Sequence, residues 1–131
     1  MKTIEVVAAV IQKDGNVFVT QRGYGEFKDM WEFPGGKVEP HEQNEAALVR
    51  EIQEELDTLI QVDRFLTTVE YTYPSFHLVM HCYLCSIKAG ELTLLEHEAA
   101  KWLPVQDIDP TDFLPADILV IEELMKLDRK V

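Results

Sequence analysis

Residues 35–56 read GGKVEPHEQNEAALVREIQEEL, and this stretch decides the fold. Its second half carries apolar residues at helical spacing: Ala47, Leu48, Val49, Ile52 and Leu56. The pattern predicts a helix over about 44–56 that packs one face against a core. The two glycines that precede the helix permit backbone geometry and close approaches that other residues resist.

The opposite face of this predicted helix is acidic. Glu51, Glu54 and Glu55 are three and four residues apart, so we expect their carboxylates to converge on one helix face. Like charges at that spacing destabilise a helix by roughly 0.2–0.5 kcal/mol per pair. Residues 42–57 hold six acids and one base, Arg50, and no acid there has a Lys or Arg four residues later. A solvated acidic surface is the alternative, but hard carboxylate oxygens in this number favour a Mg²⁺ or Mn²⁺ site.

The rest of the chain alternates apolar runs with turns. We predict strands over residues 4–11, 17–20, 31–33, 61–73, 76–87 and 99–103, and a second helix from Pro115 to the C-terminus. The turn at residues 13–16 joins the first two strands in a hairpin, and Pro74-Ser75 joins two longer strands. Hairpins with flanking helices indicate an α+β fold around a mixed sheet. We expect one domain over residues 1–131.

Bulk composition narrows the classes of function. The chain has 131 residues, with 12 basic against 24 acidic side chains and a formal charge of -12. This charge disfavours binding to a nucleic-acid polymer or to an anionic membrane surface. The longest apolar run, residues 6–11, is too short to span a bilayer, and the N-terminus lacks a signal-peptide pattern. We therefore expect a cytoplasmic protein that is a monomer or a homodimer.

Cysteines and histidines offer a second possible metal site. Cys82 and Cys85 have the CxxC spacing of redox and zinc sites, but positions three apart on a strand point to opposite faces. We expect two buried thiols that diverge. His77 and His81 share one strand face without a third partner at defined spacing, so we expect surface or pocket-lining residues and not metal ligands.

The run Gly-x5-Glu-x7-Arg-Glu-Ile-x-Glu-Glu over residues 36–55 closely resembles the signature of the Nudix hydrolases, the Nudix box. The resemblance implies a Nudix-type α/β/α sandwich. Where the family usually has Gly and then an aliphatic residue, this chain has Asp57 and Thr58, so an aspartate has to end the helix. The likeness continues from residues 4–11 through 31–37 to the C-terminal helix, and within the family it is similar to the MutT and (d)CTP pyrophosphohydrolase group.

This resemblance implies roles for individual residues. The metal ligands would be the Gly35 carbonyl and three carboxylates, those of Glu51, Glu54 and Glu55. The catalytic residues would be Glu54, Glu51, Arg50 and Glu96. In that set Arg50 would orient Glu51, because a guanidinium beside several acids can pair bidentately and fix one of them in place. Glu96 would be a loop carboxylate that binds metal or acts as general base, with Glu98 as the alternative and an ordinary surface acid as the null case.

The implied reaction is metal-dependent hydrolysis of a nucleoside triphosphate to a nucleoside monophosphate and pyrophosphate. Two or more Mg²⁺ ions, or Mn²⁺ in their place, would neutralise the phosphates and lower the pKa of water. No covalent nucleophile is required. A non-catalytic nucleotide sensor is the alternative of another class, but the box retains all three of its acids.

The resemblance also implies nucleotide contacts at Arg22, Glu32, Phe33 and Asp117. Phe33 would stack on the base or ribose, or else pack in the core. In the stretch Leu114-Pro115-Ala116-Asp117, MutT has Asn at the last position. Asp117 would accept a hydrogen bond from cytosine N4 or from guanine N1 and N2, and it would cap the helix that begins there either instead of this role or in addition to it. We predict cytidine nucleotides as substrates, with 8-oxo-dGTP as the alternative.

Overall fold

The computed structural model describes residues 1–93 and 97–128, without the side chains of residues 97, 98 and 128. The strands are β1 Lys2–Lys13, β2 Asn16–Arg22, β3 Trp31–Glu32, β4 Gly35–Lys37, β5 Leu59–Thr72, β6 Phe76–Ala89 and β7 His97–Pro104. The helices are α1 Asn44–Leu56 and α2 Pro115–Asp128, and two short 3₁₀ turns, Val105–Asp107 and Pro110–Asp112, precede α2. Within the described residues, neither helix has the length and apolar content that crossing a membrane requires.

The described strands form a mixed sheet whose main path runs β3-β2-β1-β6-β5. β1 and β6 are parallel and stay in register from Lys2 opposite Phe76 to Ile11 opposite Cys85. On its other edge, β1 pairs with β4 at its middle, over residues 6–8, and with β2 at its end. β7 extends the sheet along β2, so β1 is a central strand of the assembly.

Alternation along β1 divides the interior into two cores. Val7, Ala9 and Ile11 belong to the cluster that contains the buried face of α1. Ala8 and Val10 point to the opposite side and belong to the cluster that contains α2. Because successive strand residues face opposite sides of a sheet, one apolar strand packs against both helices. The described residues therefore form an α/β/α sandwich, which confirms the α+β prediction.

Most predicted elements are confirmed at nearly the predicted bounds. The helix over residues 44–56 and both hairpins are present. β1 extends two residues beyond the prediction at each end, β5 covers 59–72 instead of 61–73, and β6 ends at 89 instead of 87. The element that the sequence did not indicate is β4, since a strand containing two glycines has no alternating side-chain pattern. Its pairing is evident only in three dimensions, where Gly35 lies opposite Ala8 and Gly36 opposite Val7.

α1 ends at Asp57, which adopts the left-handed conformation with φ 50° and ψ 42°. Its backbone N–H donates to the Gln53 carbonyl, and the Gln53 side chain donates to Asp57 Oδ1 at 3.1 Å. Aspartate tolerates this conformation better than most residues because its short side chain bonds locally. The expected helix end with Asp in place of the family's usual glycine is confirmed.

Glycine has no Cβ to strain in the left-handed region, so Asp57→Gly is expected to raise the free energy of unfolding by about 0.5–1 kcal/mol. Asp57→Ala, which keeps the Cβ and loses the local hydrogen bond, is expected to lower it by about 1 kcal/mol. Urea denaturation of the two variants checks both signs. A glycine variant less stable than the wild type would contradict this account of the helix end.

Candidate active site

One wall of the site forms where β4 packs closely against β1 and against the Glu51 side chain of α1. β4 lies against β1 so tightly that a Cβ at Gly35 would overlap the Val7 carbonyl oxygen and the Ala8 Cα. A Cβ at Gly36 would overlap the carboxylate of Glu51, which reaches over from α1. Glycine at both positions is therefore a packing requirement, and it sets the acidic face of α1 directly against β4.

Arg50 holds this acidic face together. Its guanidinium binds Glu42 through two hydrogen bonds, from Nε to Oε2 at 2.7 Å and from Nη2 to Oε1 at 2.9 Å. Nη1 donates to Glu51 Oε1 at 2.9 Å and lies 3.3 Å from Glu54 Oε2. Nη2 also donates to the Lys37 carbonyl at 3.1 Å, which ties the end of β4 to α1. The expected contact with Glu51 is present, but the bidentate partner is Glu42, which sequence reasoning left without a role.

These hydrogen bonds shift the pKa values of Glu42 and Arg50. Hydrogen bonds from Arg50 and from the Glu39 backbone lower the pKa of Glu42 to about 2. The same pairing, chiefly with Glu42 and then with Glu51, raises the pKa of Arg50 further above its usual range. Glu42 and Arg50 therefore stay charged over the whole physiological range, and a bidentate charged pair of this kind is geometrically specific.

The three predicted metal carboxylates take different directions from α1. Glu51 points at β4 and has a side chain 16% exposed, Glu54 is 56% exposed at the surface, and Glu55 lines a cavity. Among the described residues, no three carboxylate, imidazole or thiol groups lie close enough together, as placed, to hold one metal ion. The expected convergence of the carboxylates is therefore not seen. Glu51 and Glu54 both contact Nη1 of Arg50, whereas Glu55 lines the cavity, so the three carboxylates do not meet at one point.

A cavity of about 340 Å³ opens beside this face, in the size range of small-molecule sites. One part of its wall is Gly35, Gly36 and Glu55. The remaining wall comes from β1, from the end of β2 and the loop after it, from β3 and Phe33, from the turn between β5 and β6 and β6 itself, and from the start of α2. Its residues are Val6, Val7, Ala8, Arg22, Gly23, Tyr24, Glu26, Phe27, Glu32, Phe33, Tyr73, Phe76, Leu78, Met80, Leu114 and Asp117. Four of its lining residues are acidic and one, Arg22, is basic. A polyanionic ligand would therefore need added cations in this cavity.

Two acids and a base form a second polar group in the cavity wall. Arg22 Nε donates to Glu32 Oε2 at 3.1 Å, and the Glu32 side chain is only 16% exposed. Asp117 is 4% exposed, and its Oδ1 accepts a hydrogen bond from the Phe33 backbone N–H at 2.9 Å. Burial and then the charge of Glu32 raise the pKa of Asp117 well above its usual value. Burial also raises the pKa of Glu32, although Arg22 opposes that shift.

This placement decides one alternative that the sequence left open, for Asp117, and bears on another, for Phe33. α2 begins at Pro115, so Asp117 lies inside its first turn, and the helix-cap interpretation of Asp117 is wrong. Phe33 is 3% exposed and packs against Phe113 with ring centroids 6.0 Å apart, although it also borders the cavity. Its ring packs in the core and also borders the cavity, so stacking on the base or ribose stays a prediction, and its backbone N–H donates to Asp117.

The thiols and histidines lie away from this cavity. Cys82 and Cys85 are both buried, one in each core, as predicted for positions three apart on a strand. Burial raises the pKa of both thiols. His77 and His81 bond to threonine and glutamate side chains on the sheet surface, at 2.8–2.9 Å.

The predicted loop carboxylate lies outside the described residues, and its role stays a prediction. Glu96 itself is not described, and the side chain of the alternative Glu98 is not described either. One cavity-lining residue that the sequence did not indicate is Tyr73, which borders the cavity just after the end of β5. No local motif marks it, because its position depends on how β5, β6 and α2 pack together.

The sandwich fold, the glycines of β4 and the acidic helix locked by Arg50 define a hydrolase of the Nudix class. The model of the NUDIX domain matches residues 1–124, and the chain belongs to the Nudix family.

Similar proteins and structures agree with this assignment. The chain is 36% identical to a CTP pyrophosphohydrolase of Escherichia coli strain K12, over 97% of this chain and 95% of that protein. It is 32% identical to an 8-oxo-dGTP diphosphatase of the same strain, over 97% of this chain and all of that protein. The solution structure of the E. coli ORF135 protein superposes with a TM-score of 0.83 at 35% identity, covering 98% of this chain and 92% of that chain. The MutT NUDIX hydrolase of Burkholderia pseudomallei gives 0.86 at 27% identity, covering 95% and 99%.

The low pKa of Glu42 gives the stability of this site a pH dependence. Its pKa is about 2 in the folded protein against 4.5 for an unperturbed glutamate, so unfolding takes up a proton below about pH 4.5. The stabilisation is present above pH 4.5 and is lost as the pH falls through 2. We expect Glu42→Gln to flatten the acid side of the melting-temperature profile between these values, whereas the exposed Glu45→Gln control keeps the wild-type slope. Parallel profiles for wild type and Glu42→Gln would contradict the pairing.

Proposed function

We propose that this Nudix hydrolase cleaves a cytidine nucleoside triphosphate, CTP or dCTP or a modified form, to the monophosphate and pyrophosphate with Mg²⁺. Mn²⁺ is the expected substitute. The observation that carries the proposal is that one cavity joins the acidic box to Asp117. Phosphates at the Glu55 side and a base at the Asp117 side would occupy the same continuous space.

The donor set fits a hard divalent cation, and Nudix hydrolases generally use one. Glu51, Glu54, Glu55 and the Gly35 carbonyl offer only oxygen ligands, which suit Mg²⁺ and Mn²⁺ better than softer metals. The long contacts from Arg50 Nη1 to Glu54, at 3.3 and 3.4 Å, hold that exposed carboxylate weakly. Its side chain can therefore leave Arg50 at small cost and join Glu51 and Glu55. When bound, a divalent cation supplies charge neutralisation for phosphate oxygens and acidifies water.

In this proposal, Arg50 orients a metal ligand and Arg22 contacts the nucleotide. Arg50 fixes the direction of Glu51 through a 2.9 Å hydrogen bond and ties it to the Lys37 carbonyl at the end of β4. This framework presets the carboxylate and reduces the ordering that substrate binding has to supply. Arg22, held by Glu32, is the cation in the described cavity wall that can approach the nucleotide directly.

Asp117 supports the choice of a base with an exposed amino group. In either protonation state a carboxyl group keeps an oxygen that can accept a hydrogen bond, and cytosine N4 is a donor. Similarity to the E. coli CTP pyrophosphohydrolase supports the same choice. The second candidate, 8-oxo-dGTP, is favoured by similarity to the E. coli 8-oxo-dGTP diphosphatase, and guanine N1 and N2 also donate.

Glu54→Gln removes one carboxylate of the set while keeping the side-chain shape. We expect its kcat with Mg²⁺ to fall by more than about 100-fold, since even residues that only support a metal ligand cost 10–100-fold. Glu45→Gln, an exposed change in the first turn of the same helix, is expected to keep wild-type activity. Pyrophosphate release measures both. Full activity of Glu54→Gln with every nucleotide tested would rule out the assigned metal role.

The base preference is tested by kcat/KM for CTP, dCTP, 5-methyl-dCTP, 8-oxo-dGTP and dGTP at equal Mg²⁺. We expect the highest values for the cytidine nucleotides, because Asp117 pairs with their amino group. Hydrolysis of 8-oxo-dGTP at a tenfold higher kcat/KM would replace the cytidine proposal with the second candidate.

A further inference from the structure

Tyr73 lies where the wall of the cavity meets the start of α2. It follows β5 directly, and its backbone N–H donates to the Phe76 carbonyl at 2.8 Å, closing the turn into β6. The side chain is 6% exposed and lines the cavity together with Asp117. A buried phenol on a cavity wall places a polar atom where the neighbouring surface is largely apolar.

Neighbouring rings fix the position of this phenol. Phe76 stacks on it with ring centroids 5.1 Å apart and 27° between planes. Phe27, from the loop after β2, lies 5.3 Å away, and Tyr71 lies 4.8 Å away, both tilted. Aromatic contacts on several sides leave the ring few orientations, so its hydroxyl is held at one place in the wall.

The Tyr73 hydroxyl already makes one hydrogen bond within the protein, as an acceptor. Its oxygen accepts the backbone N–H of Ala116 at 3.2 Å, one of the first-turn N–H groups that a helix cannot satisfy internally. A neutral phenol has one proton to donate in addition to its acceptor lone pairs. Among the described residues, no hydrogen-bond acceptor for this proton is found. Burial raises the pKa of Tyr73, so the phenol keeps the proton at neutral pH.

We propose that the Tyr73 hydroxyl donates a hydrogen bond to an acceptor atom of the nucleotide base and, with Asp117, selects the base. Tyr73 and Asp117 line the same cavity, and the charge of Asp117 is near enough to add to the effect of burial in raising the pKa of the phenol. A donor next to an acceptor matches a base edge with an acceptor atom beside an amino group, as cytosine N3 and N4 are. The inference rests on the proposed function, because it places the base in this cavity.

The test measures binding without turnover. Dissociation constants are determined by calorimetry, without metal, for CMP, UMP, GMP, AMP and ribose 5-phosphate. Tyr73→Phe keeps the ring and its packing but removes the hydroxyl, and Tyr71→Phe is the matched control because Tyr71 belongs to the same ring cluster and is 38% exposed. We expect Tyr73→Phe to bind the wild type's preferred monophosphate about fivefold more weakly, which is the effect of losing one neutral hydrogen bond. Ribose 5-phosphate binding should be unchanged, and Tyr71→Phe should change none by more than about twofold.

A helix-capping role alone would lower the melting temperature of Tyr73→Phe without changing its relative affinities for the bases, and that result would overturn the proposal. Equal weakening of every monophosphate and of ribose 5-phosphate would overturn it too, since the contact would not be with the base. So would a wild type that binds no base better than ribose 5-phosphate. Failure of the proposed function is separate: it would appear as preferred hydrolysis of 8-oxo-dGTP or as no hydrolysis.

If Tyr73→Phe does not fold, the wild type alone can be tested with altered ligands. Replacing cytosine N3 by C–H in 3-deaza-CMP, or O2 by sulfur in 2-thio-CMP, removes or weakens one acceptor each. A loss of about fivefold with one analogue supports the donated bond. Affinity equal to that of CMP for both analogues contradicts it.

Discussion

The guanidinium of Arg50 is the interaction on which the rest of the site depends. One cation binds Glu42 at two atoms, Glu51 at one and the carbonyl of Lys37, and so joins the loop before α1, the helix itself and the end of β4. Without this cation, Glu51 and Glu54 on α1 and Glu42 in the preceding loop would repel one another. Because the pair with Glu42 is charged on both sides and bidentate, it fixes geometry as well as charge.

The acidic groups of the site bear on how an acidic protein can bind a polyanionic ligand. The chain carries a formal charge of -12, and the described cavity lining holds Arg22 against four acids. Phosphates would be repelled by such a surface unless cations entered with them. On our proposal the acids are the ligands of those cations, so the charge that repels the bare nucleotide is what gives the site its metal dependence.

Much of the fold follows from local patterns, whereas the contents of the cavity do not. The apolar spacing of Leu48, Ile52 and Leu56 located α1, and the alternation expected of strands placed the two thiols in separate cores. β4 is not predicted, because its two glycines have no side chains whose alternation would indicate a strand. The position of Tyr73 and the pairing of Glu42 with Arg50 depend on contacts between distant or differently oriented segments. No spacing of residues in the sequence predicts such contacts. The expected convergence of three carboxylates is not seen for a related reason: helical spacing gives their common face, but it does not indicate that Glu51 and Glu54 contact Arg50 while Glu55 lines the cavity.

Asp117 illustrates the same limit. In the sequence, an aspartate follows Leu114-Pro115-Ala116, and this pattern is compatible with both helix capping and base recognition. The structure shows that the helix begins two residues earlier and that the backbone of Phe33 holds the carboxyl, 84 positions away in the chain, in a buried wall. Its elevated pKa comes from burial and from Glu32, neither of which the local sequence indicates.

The central claim is that Glu51, Glu54 and Glu55, organised by Arg50, bind divalent metal at one end of a cavity whose other end holds the base. Anomalous diffraction from crystals grown with Mn²⁺ and a CTP analogue with a non-cleavable α,β bridge measures this most directly. The account predicts manganese peaks in contact with these three carboxylates and the Gly35 carbonyl, with the base beside Asp117. Manganese bound away from all three carboxylates, with the nucleotide in the cavity, would contradict it.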